Sequence, residues 1–287
     1  MQPKTAIASQ NILGEGPWWS VEEQEFYWVD IKVPCLLRWN PITNARKEWS
    51  LPDEVGTFVR SSGSHGIVAL QNGIARIDLD SGELTPMMHP EKDKPWNRYN
   101  DGKCDRRGRF WVGSMDNAEQ QTSGTLYRID EDHTVTAIKS PVGISNGLGW
   151  SPDNTVMYYA DSPAKCIYAY DYDIETGAAT NERILVNVDK GVPDGLTVDS
   201  EGYIWNAQWG AWRVVRYAPD GSIDHILDMP VAQPTSCCFG GPDLNDLYIT
   251  SARIGLSKND LEKQPEAGNV FTVRTATPGL PESPFAG

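Results

Sequence analysis

Short apolar segments separated by turn residues follow the whole chain, and one segment recurs six times. Most copies have two apolar residues, a small or polar residue, another apolar residue and a polar end. They occupy residues 36–40, 74–78, 126–130, 167–171, 214–218 and 270–274. The centres of the first and last copies, Arg38 and Thr272, are 234 residues apart, so the period averages about 47 residues. A period of this length is typical of propeller blades.

A second six-fold series lies upstream of each copy and consists of β-branched and aromatic runs. Its members begin at residues 26, 67, 110, 157, 204 and 247 and read FYWVD, IVAL, FWVGS, MYYAD, IWNAQ and LYITS. Such runs favour strands, and the Asp, Asn and Gly residues between them favour turns. Two series in phase predict an all-β fold: a six-bladed β-propeller of four-stranded antiparallel blades, with residues 1–287 as one domain. The uneven spacing also allows five or seven blades, whereas a two-domain sandwich would not explain the shared period.

The charge and composition of the chain limit the classes of partner that it can bind. The chain has 25 Lys and Arg against 39 Asp and Glu, a net charge of −14 that argues against nucleic acid and an anionic membrane surface. No apolar stretch approaches the ~20 residues of a spanning helix, and residues 1–14 lack a signal-peptide pattern. Five cysteines without CxxC spacing are typical of reduced thiols. We therefore expect a cytoplasmic protein, a monomer or weak homo-oligomer, whose partner is a small molecule.

The openings of the repeats carry the candidate chemistry. In a propeller the innermost strand of each blade lines a central channel, so equivalent positions of successive repeats converge on one axis. In four of the six openings a carboxylate or carboxamide side chain lies at nearly the same position within the repeat, and a glycine follows within two residues. These residues are Glu15, Asn100, Asn146 and Asp194. Asn-Gly and Asp-Gly pairs also occur as plain hairpin turns. Their shared register favours a ligand site at one face of the channel.

Oxygen ligands of this kind suit Ca²⁺, Mg²⁺ or Mn²⁺ better than a soft metal. The four histidines lack metal-binding spacing, and neither a GxSxG elbow nor a nucleotide-binding glycine pattern is present. A cation with open positions can polarise a carbonyl and activate water, which predicts metal-assisted hydrolysis of a carbonyl compound. Arg98 is a candidate for binding substrate oxygens. Trp18, Trp209 and Trp212 are candidate faces for a sugar ring, although core packing explains each one more simply.

The segments around these openings resemble the gluconolactonase / senescence marker protein (regucalcin) family of six-bladed propellers. The matching stretches are LGEGP at 13–17, NRYNDGK at 97–103, GSMD at 113–116, ISNGL at 144–148, PDGL at 193–196, SCCFGG at 236–241, SAR at 251–253 and QPEAG at 264–268. They follow the chain in order over most of its length. The resemblance implies a sugar lactonase with one divalent cation in the channel.

The resemblance also implies residue roles by motif position. The positions that match the metal ligands of the family are Glu15, Asn146 and Asp194, and Asp194 also matches its general base. The positions that match groups holding the lactone's ring oxygens and hydroxyls are Arg98 and Asn100, with Glu119 as the counterpart of a further acidic residue. Calcium, zinc, manganese, magnesium and iron are all possible cations for such a site.

The resulting hypothesis is metal-dependent hydrolysis of an aldonolactone to the free sugar acid. A calcium-binding regulatory propeller would keep the metal ligands without turning over a lactone. An aryl-esterase or phosphotriesterase would use the same cation on another substrate, and an interaction scaffold would need no metal. The identity of the sugar and the size of its lactone ring stay open at this stage, since a contact worth about 1–3 kcal/mol decides among such close analogues.

Overall fold

The strands of the chain form six four-stranded antiparallel sheets arranged as propeller blades, in a computed structural model that describes residues 1–287. Strand β1 (Lys4–Ile7) comes first in the chain and belongs to the last blade. Blade 1 contains β2 (Gly14–Ser20), β3 (Glu25–Asp30), β4 (Cys35–Trp39) and β5 (Arg46–Ser50). Blade 2 contains β6 (Val55–Arg60), β7 (His65–Leu70), β8 (Gly73–Asp78) and β9 (Leu84–Met88). Blade 3 contains β10 (Asn97–Cys104), β11 (Phe110–Asp116), β12 (Gly124–Ile129) and β13 (Val135–Val142).

The second half of the chain repeats this order. Blade 4 contains β14 (Ser145–Trp150), β15 (Val156–Asp161), β16 (Cys166–Asp173) and β17 (Ala178–Asn187). Blade 5 contains β18 (Val192–Val198), β19 (Ile204–Trp209), β20 (Arg213–Tyr217) and β21 (Ile223–Asp228). Blade 6 contains β22 (Pro234–Gly240), β23 (Asp246–Ser251) and β24 (Val270–Arg274). The prediction of a six-bladed β-propeller is confirmed.

The first strand of the chain closes the ring. β1 pairs antiparallel with β24, with Lys4 opposite Thr272 and Thr5 opposite Phe271, and so completes blade 6. Because residues from both ends of the chain share one sheet, backbone hydrogen bonds close the ring and β24 has a paired strand on each side. One α-helix, α1 (Lys258–Lys263), lies between β23 and β24, and no helix is long and apolar enough to cross a membrane.

The aromatic runs of the sequence become the second strand of each blade and form the core between blades. Trp111 of β11 and Trp205 of β19 are both fully buried and occupy equivalent places. Each indole N–H donates to an aspartate in the turn before its strand, Asp105 or Asp199, over 3.0 Å in both blades. The turn aspartates are thus hydrogen-bonded despite complete burial, as buried polar groups usually are. All five cysteines are free and buried.

A β-bulge interrupts the innermost strand of every blade near its start. The pairing of β2 with β3 shifts between Glu15 and Trp18, and the pairing of β14 with β15 shifts between Asn146 and Leu148. The other four innermost strands have shifts at corresponding places. A bulge changes the direction in which a strand presents its side chains, and bulges of this kind are common next to active sites.

The opposite end of the channel is covered by the last residues of the chain. Residues 275–287 cross the ends of the innermost strands, where Ser200 N–H donates to the Pro278 carbonyl and Phe285 N–H donates to the Arg60 carbonyl. Between these anchors Glu282 Oε1 lies 3.0 Å from Lys103 Nζ, with both side chains largely buried. The bulged end of the channel therefore faces solvent and the other end is capped.

Candidate active site

A pocket opens at the bulged end of the channel, and the structure brings the six predicted site residues together there. Its lining includes Glu15, Arg98, Asn100, Glu119, Asn146 and Asp194. Glu119 is the exposed member at the rim, whereas the other five are at least nine-tenths buried. Residues from blades 1, 3, 4 and 5 thus meet in one place, as the register of the repeats predicts for Glu15, Asn100, Asn146 and Asp194.

The bulges and the glycines that follow them bring these side chains close together. Asn146 and Asp194 lie within or beside the shifts in β14 and β18. A Cβ at Gly147 would lie 2.7 Å from the carbonyl oxygen of Asp194, closer than real Cβ atoms approach backbone. Gly16, after Glu15, has a φ of +53°, a conformation that side-chain-bearing residues rarely adopt. Glycine at these two positions therefore permits the close approach of neighbouring innermost strands.

Hydrogen bonds connect the polar residues across two blades. Arg98 Nη1 donates to Asn100 Oδ1 over 2.6 Å. The amide of Asn100 in turn donates to Asn146 Oδ1 over 3.1 Å and to the Ser145 carbonyl over 2.8 Å. These bonds fix the Asn146 amide with its oxygen toward Asn100, since an amide oxygen only accepts. That oxygen keeps a second lone pair for another partner.

The two buried carboxylates carry strongly shifted pKa values. Burial raises the pKa of Glu15 well above its usual range, and the charges of Asp194 and Asp101 raise it further. Burial likewise raises the pKa of Asp194, with the charge of Asp101 as the next cause. The Arg98 guanidinium opposes both shifts. Like charges close together in a desolvated site disfavour ionisation, and a positive charge between them would reverse that effect.

This donor set suits a divalent cation. Two buried carboxylates, Glu15 and Asp194, and the amide oxygen of Asn146 supply oxygen ligands only, which is the chemistry that hard or borderline divalent ions prefer. No three histidine, cysteine or acidic side chains cluster closely enough to hold a metal, so a cation here would depend on the amide as well as on the carboxylates.

Two residues that the sequence did not single out position the candidate ligands. Ser162 Oγ accepts from Asn146 Nδ2 and donates to the Pro193 carbonyl, both over 2.7 Å. The amide of Asn206 donates to the backbone carbonyl of Asp194 over 2.9 Å. Ser162 directly follows the second strand of blade 4, and Asn206 lies in the second strand of blade 5. The aromatic residues of these strands indicated core packing only. A polar residue within such a run, like the Asn in IWNAQ, was the one sequence feature that indicated a further role.

The remaining wall of the pocket is apolar, and of the three candidate tryptophans only Trp209 contributes to it. Its other apolar members are Leu13, Ile31, Met115, Ile144, Val192 and Ile254. Trp18 is buried in the core, with its ring edge-on to Tyr27 and Phe58. Trp212 is 41% exposed and lies outside the pocket lining. The simpler interpretation, core packing, is therefore correct for Trp18.

Comparisons with known proteins agree with the fold and show its relatives. A regucalcin from Danio rerio is 37% identical over 287 residues, which cover 98% of this chain and 97% of that protein. A 6-deoxy-6-sulfogluconolactonase from Pseudomonas putida is also 37% identical and covers 99% of this chain and 98% of its own length. The solved structure of a calcium-binding protein, regucalcin, from Agrobacterium tumefaciens has a TM-score of 0.94 and 29% identity, with 98% of this chain and 96% of that one covered.

The family assignment follows from the length of the match. Residues 13–253 match the SMP-30/Gluconolactonase/LRE-like region, which is most of the chain and includes every candidate site residue. The chain therefore belongs to the SMP-30/gluconolactonase/LRE-like family.

Proposed function

We propose that this protein is a hydrolase that opens a sugar lactone to the free sugar acid with the help of one divalent cation. The names of its relatives support the lactonase activity, since one is a sulfogluconolactonase and the family includes gluconolactonases. The observation that carries the proposal is the buried pair Glu15 and Asp194 beside the Asn146 amide in the open pocket. Such a set binds a cation and leaves room for a substrate beside it.

Glu15, Asn146 and Asp194 are the residues that would hold the cation. When bound, a divalent cation polarises a carbonyl group and lowers the pKa of water beside it. The calcium-binding description of the Agrobacterium tumefaciens structure favours calcium as the first ion to try, and an all-oxygen set also accepts magnesium or manganese.

Asp194 is the residue we assign as general base. Its carboxylate accepts a proton from the water that attacks the lactone carbonyl carbon, and the new C–O bond forms as the proton leaves. Collapse of the tetrahedral intermediate breaks the bond between that carbon and the ring oxygen. The proton passes from Asp194 to the ring oxygen, so the product is a hydroxy acid and the base is restored.

Arg98 and Asn100 orient the substrate. Arg98 is held by Asn100 and by the Tyr99 carbonyl, which leaves its second terminal nitrogen for lactone oxygens. A guanidinium fixed in this way binds oxygens with defined geometry at a low cost in entropy. Glu119 at the rim accepts hydrogen bonds from substrate hydroxyls, and Trp209 offers an apolar face to the sugar ring.

Asp194→Asn tests the proposal. This change keeps the size of the side chain and removes its charge, so we expect kcat/KM for an aldonolactone to fall by about 10³-fold or more. Asp220→Asn is the matched control, because Asp220 also precedes a glycine in blade 5 but is exposed on a turn. Lactone opening is followed by acid release with a pH indicator, on protein with an unchanged circular dichroism spectrum. Full activity in the Asp194 variant contradicts the proposal.

Calcium binding without catalysis is the second candidate, and the description of the Agrobacterium tumefaciens structure as a calcium-binding protein favours it. Experiments on a single protein preparation distinguish the two functions. A calcium-binding protein would take up one ion through Glu15 and Asp194 but leave aldonolactones at the rate of uncatalysed hydrolysis. Lactone turnover that follows cation loading would instead assign the ion to the reaction.

A further inference from the structure

An unbroken row of polar contacts leads from the candidate metal ligands to the rim of the pocket. It begins at Asn146 and passes through Asn100 and Arg98 by the hydrogen bonds described above. Arg98 Nε then donates to Asn117 Oδ1 over 3.1 Å, and Lys32 Nζ approaches the same oxygen at 3.4 Å. All five residues line the pocket. A substrate with its carbonyl at Asn146 would therefore extend along this row toward Lys32.

Lys32 is held as half of an ion pair at the rim. Its ammonium lies 2.7 and 2.9 Å from the two carboxylate oxygens of Glu54, and the two side chains are 26% and 22% exposed. Glu54 also lies 3.7 Å from Arg98 Nε. Lys32 lines the pocket and its ammonium is bonded to the Glu54 carboxylate, so a hydroxyl group, which both donates and accepts, can share the two charged groups.

Asn117 adds a second donor. Its amide oxygen accepts hydrogen bonds from two cationic side chains, Arg98 and Lys32. An amide nitrogen could not take this place, because it would face only other hydrogen-bond donors. The NH₂ group of Asn117 therefore turns away from the cations, and it donates to no other side chain or carbonyl in the protein. Because Asn117 lines the pocket, those donors are available to a ligand.

We infer that Lys32, Glu54 and Asn117 form a recognition site for the hydroxylated carbon chain of the lactone that lies farthest from its carbonyl. This inference rests on the proposed function, because the direction of the substrate follows from placing its carbonyl at the metal ligands. It defines the substrate class as neutral polyhydroxy lactones with a hydroxyl on the exocyclic carbon.

The charges around the pocket favour a neutral chain over an anionic one. Two cations, Lys32 and Arg98, and three carboxylates, Glu15, Glu119 and Asp194, line the pocket. Glu54 lies beside both cations and adds a further negative charge. A sulfonate or carboxylate on the substrate would find Lys32 already paired with Glu54 and would face the Glu119 carboxylate, so it would lack a free counter-charge.

A cycle of substrate and enzyme changes tests this site. Wild type and Lys32→Met are compared on two lactones that differ only in a hydroxymethyl or a methyl group at the exocyclic carbon. We expect wild type to prefer the hydroxymethyl lactone by about 10- to 100-fold in kcat/KM, as for a partly exposed hydrogen bond to a charged group. Lys32→Met should reduce that preference to about threefold or less, because the hydroxymethyl lactone should lose much more activity than the methyl lactone.

Lys258→Met is the matched control, because Lys258 is an exposed lysine on α1 outside the pocket. It should keep the wild-type preference. Glu54→Gln, which retains the shape of the acceptor, provides a second variant that should weaken the same preference. An equal loss on both lactones in Lys32→Met would mean that Lys32 only supports the fold of the rim, and would overturn the inference.

Two further experiments distinguish a failure of this inference from a failure of the proposed function. Calorimetry with a pair of uncleavable lactams carrying the same two groups should show the same Lys32-dependent preference in Kd, even in a protein preparation without lactone turnover. In that case the recognition site stands and the proposed reaction fails. A third lactone with a sulfonate in place of the terminal hydroxyl should be poorer than the hydroxymethyl lactone. If wild type prefers the sulfonate and Lys32→Met loses that preference, Lys32 binds anions and the inference is wrong.

Discussion

The two ends of the channel hold buried carboxylates in opposite circumstances. At the capped end, Glu282 lies 3.0 Å from Lys103. Burial acts to lower the pKa of Lys103, but the charge and hydrogen bond of Glu282 outweigh it and the pKa is raised. At the open end, Glu15 and Asp194 lie near each other and near Asp101, and their pKa values are raised by burial and by those like charges.

This difference separates a structural carboxylate from a functional one. A buried acid with a cationic partner supplied by the chain is stable where it is, and removing its partner leaves an uncompensated charge. A pair of buried acids that shares only Arg98 lacks part of its counter-charge, a pattern typical of sites built to bind a cation or move a proton. We therefore expect changes at the open end to affect activity and those at the capped end to affect stability.

Among the changes that compare the two ends, Glu15→Gln should have the largest effect. Removing one of two carboxylates from the candidate cation site should reduce kcat/KM for an aldonolactone by about 10³-fold, because ligand loss weakens both the cation and its alignment. Without added metal, the free energy of unfolding of this variant should equal or exceed that of wild type, since a desolvated charge is gone. Urea unfolding and lactone assays on the same samples measure both. A destabilised variant with normal kinetics would contradict the expectation that changes at the open end affect activity rather than stability.

Glu282→Gln should have the opposite profile. Lys103 would keep its burial and lose its hydrogen-bonded counter-charge, with only the charge of Asp101 left nearby, so the free energy of unfolding should fall by about 3 kcal/mol. Lactone kinetics at a temperature where the variant is folded should change less than about twofold, as expected for a distant site. Asp243→Asn, which breaks an exposed pair with Arg274, is the control and should leave the free energy of unfolding nearly unchanged. A large kinetic defect in Glu282→Gln would show that the two ends act together.

The pH dependence of stability should identify Asp101, a buried acid whose charge acts on Glu15 and Asp194 at the open end and on Lys103 at the capped end. Burial raises the pKa of Asp101 to about 6. A carboxyl group with a raised folded-state pKa stabilises the fold below its unfolded pKa of about 4, and that contribution is lost as pH rises through the folded value. The metal-free wild type should therefore lose stability relative to Asp101→Asn between pH 4 and about 6, by on the order of 2 kcal/mol. Urea midpoints across that range measure the difference, and a constant gap would contradict the assignment.

The smallest effect is expected from Ser162→Ala. Ser162 orients the Asn146 amide and bonds to the Pro193 carbonyl next to Asp194. Loss of such a supporting hydrogen bond should weaken cation affinity about 10-fold without a large change in stability. Isothermal titration with calcium measures the affinity. An unchanged Kd would mean that the Asn146 amide is oriented by Asn100 alone.

The repeat made the fold and the centre of the site accessible from the sequence. A period near 47 residues favoured six blades, although its uneven spacing also allowed five or seven. Residues such as Asn146 and Asp194 were found because they share one phase of that period. Six-fold symmetry alone is enough to predict that these residues converge in one pocket.

The features that escaped prediction lie outside the period. Lys32 and Glu54 come from different inter-strand turns, and only the folded ring brings their charges within 2.7 Å. Ser162 and Asn206 act on backbone carbonyls of the next blade or strand, and no spacing in one sequence encodes such a bond. The tail that places Glu282 beside Lys103 follows the last repeat and has no counterpart elsewhere in the chain.

Direct measurement of cation binding tests the central claim, that the chain leaves two buried carboxylates short of positive charge at the open end. Calcium titration by calorimetry should be done on metal-stripped wild type and on the double variant Glu15→Gln, Asp194→Asn, with thermal unfolding on the same samples. We expect wild type to bind one ion per chain with a rise in melting temperature, and the double variant to bind none. Stoichiometric binding that survives in the double variant, or no binding of calcium, magnesium, manganese, zinc or iron by wild type, would contradict the account.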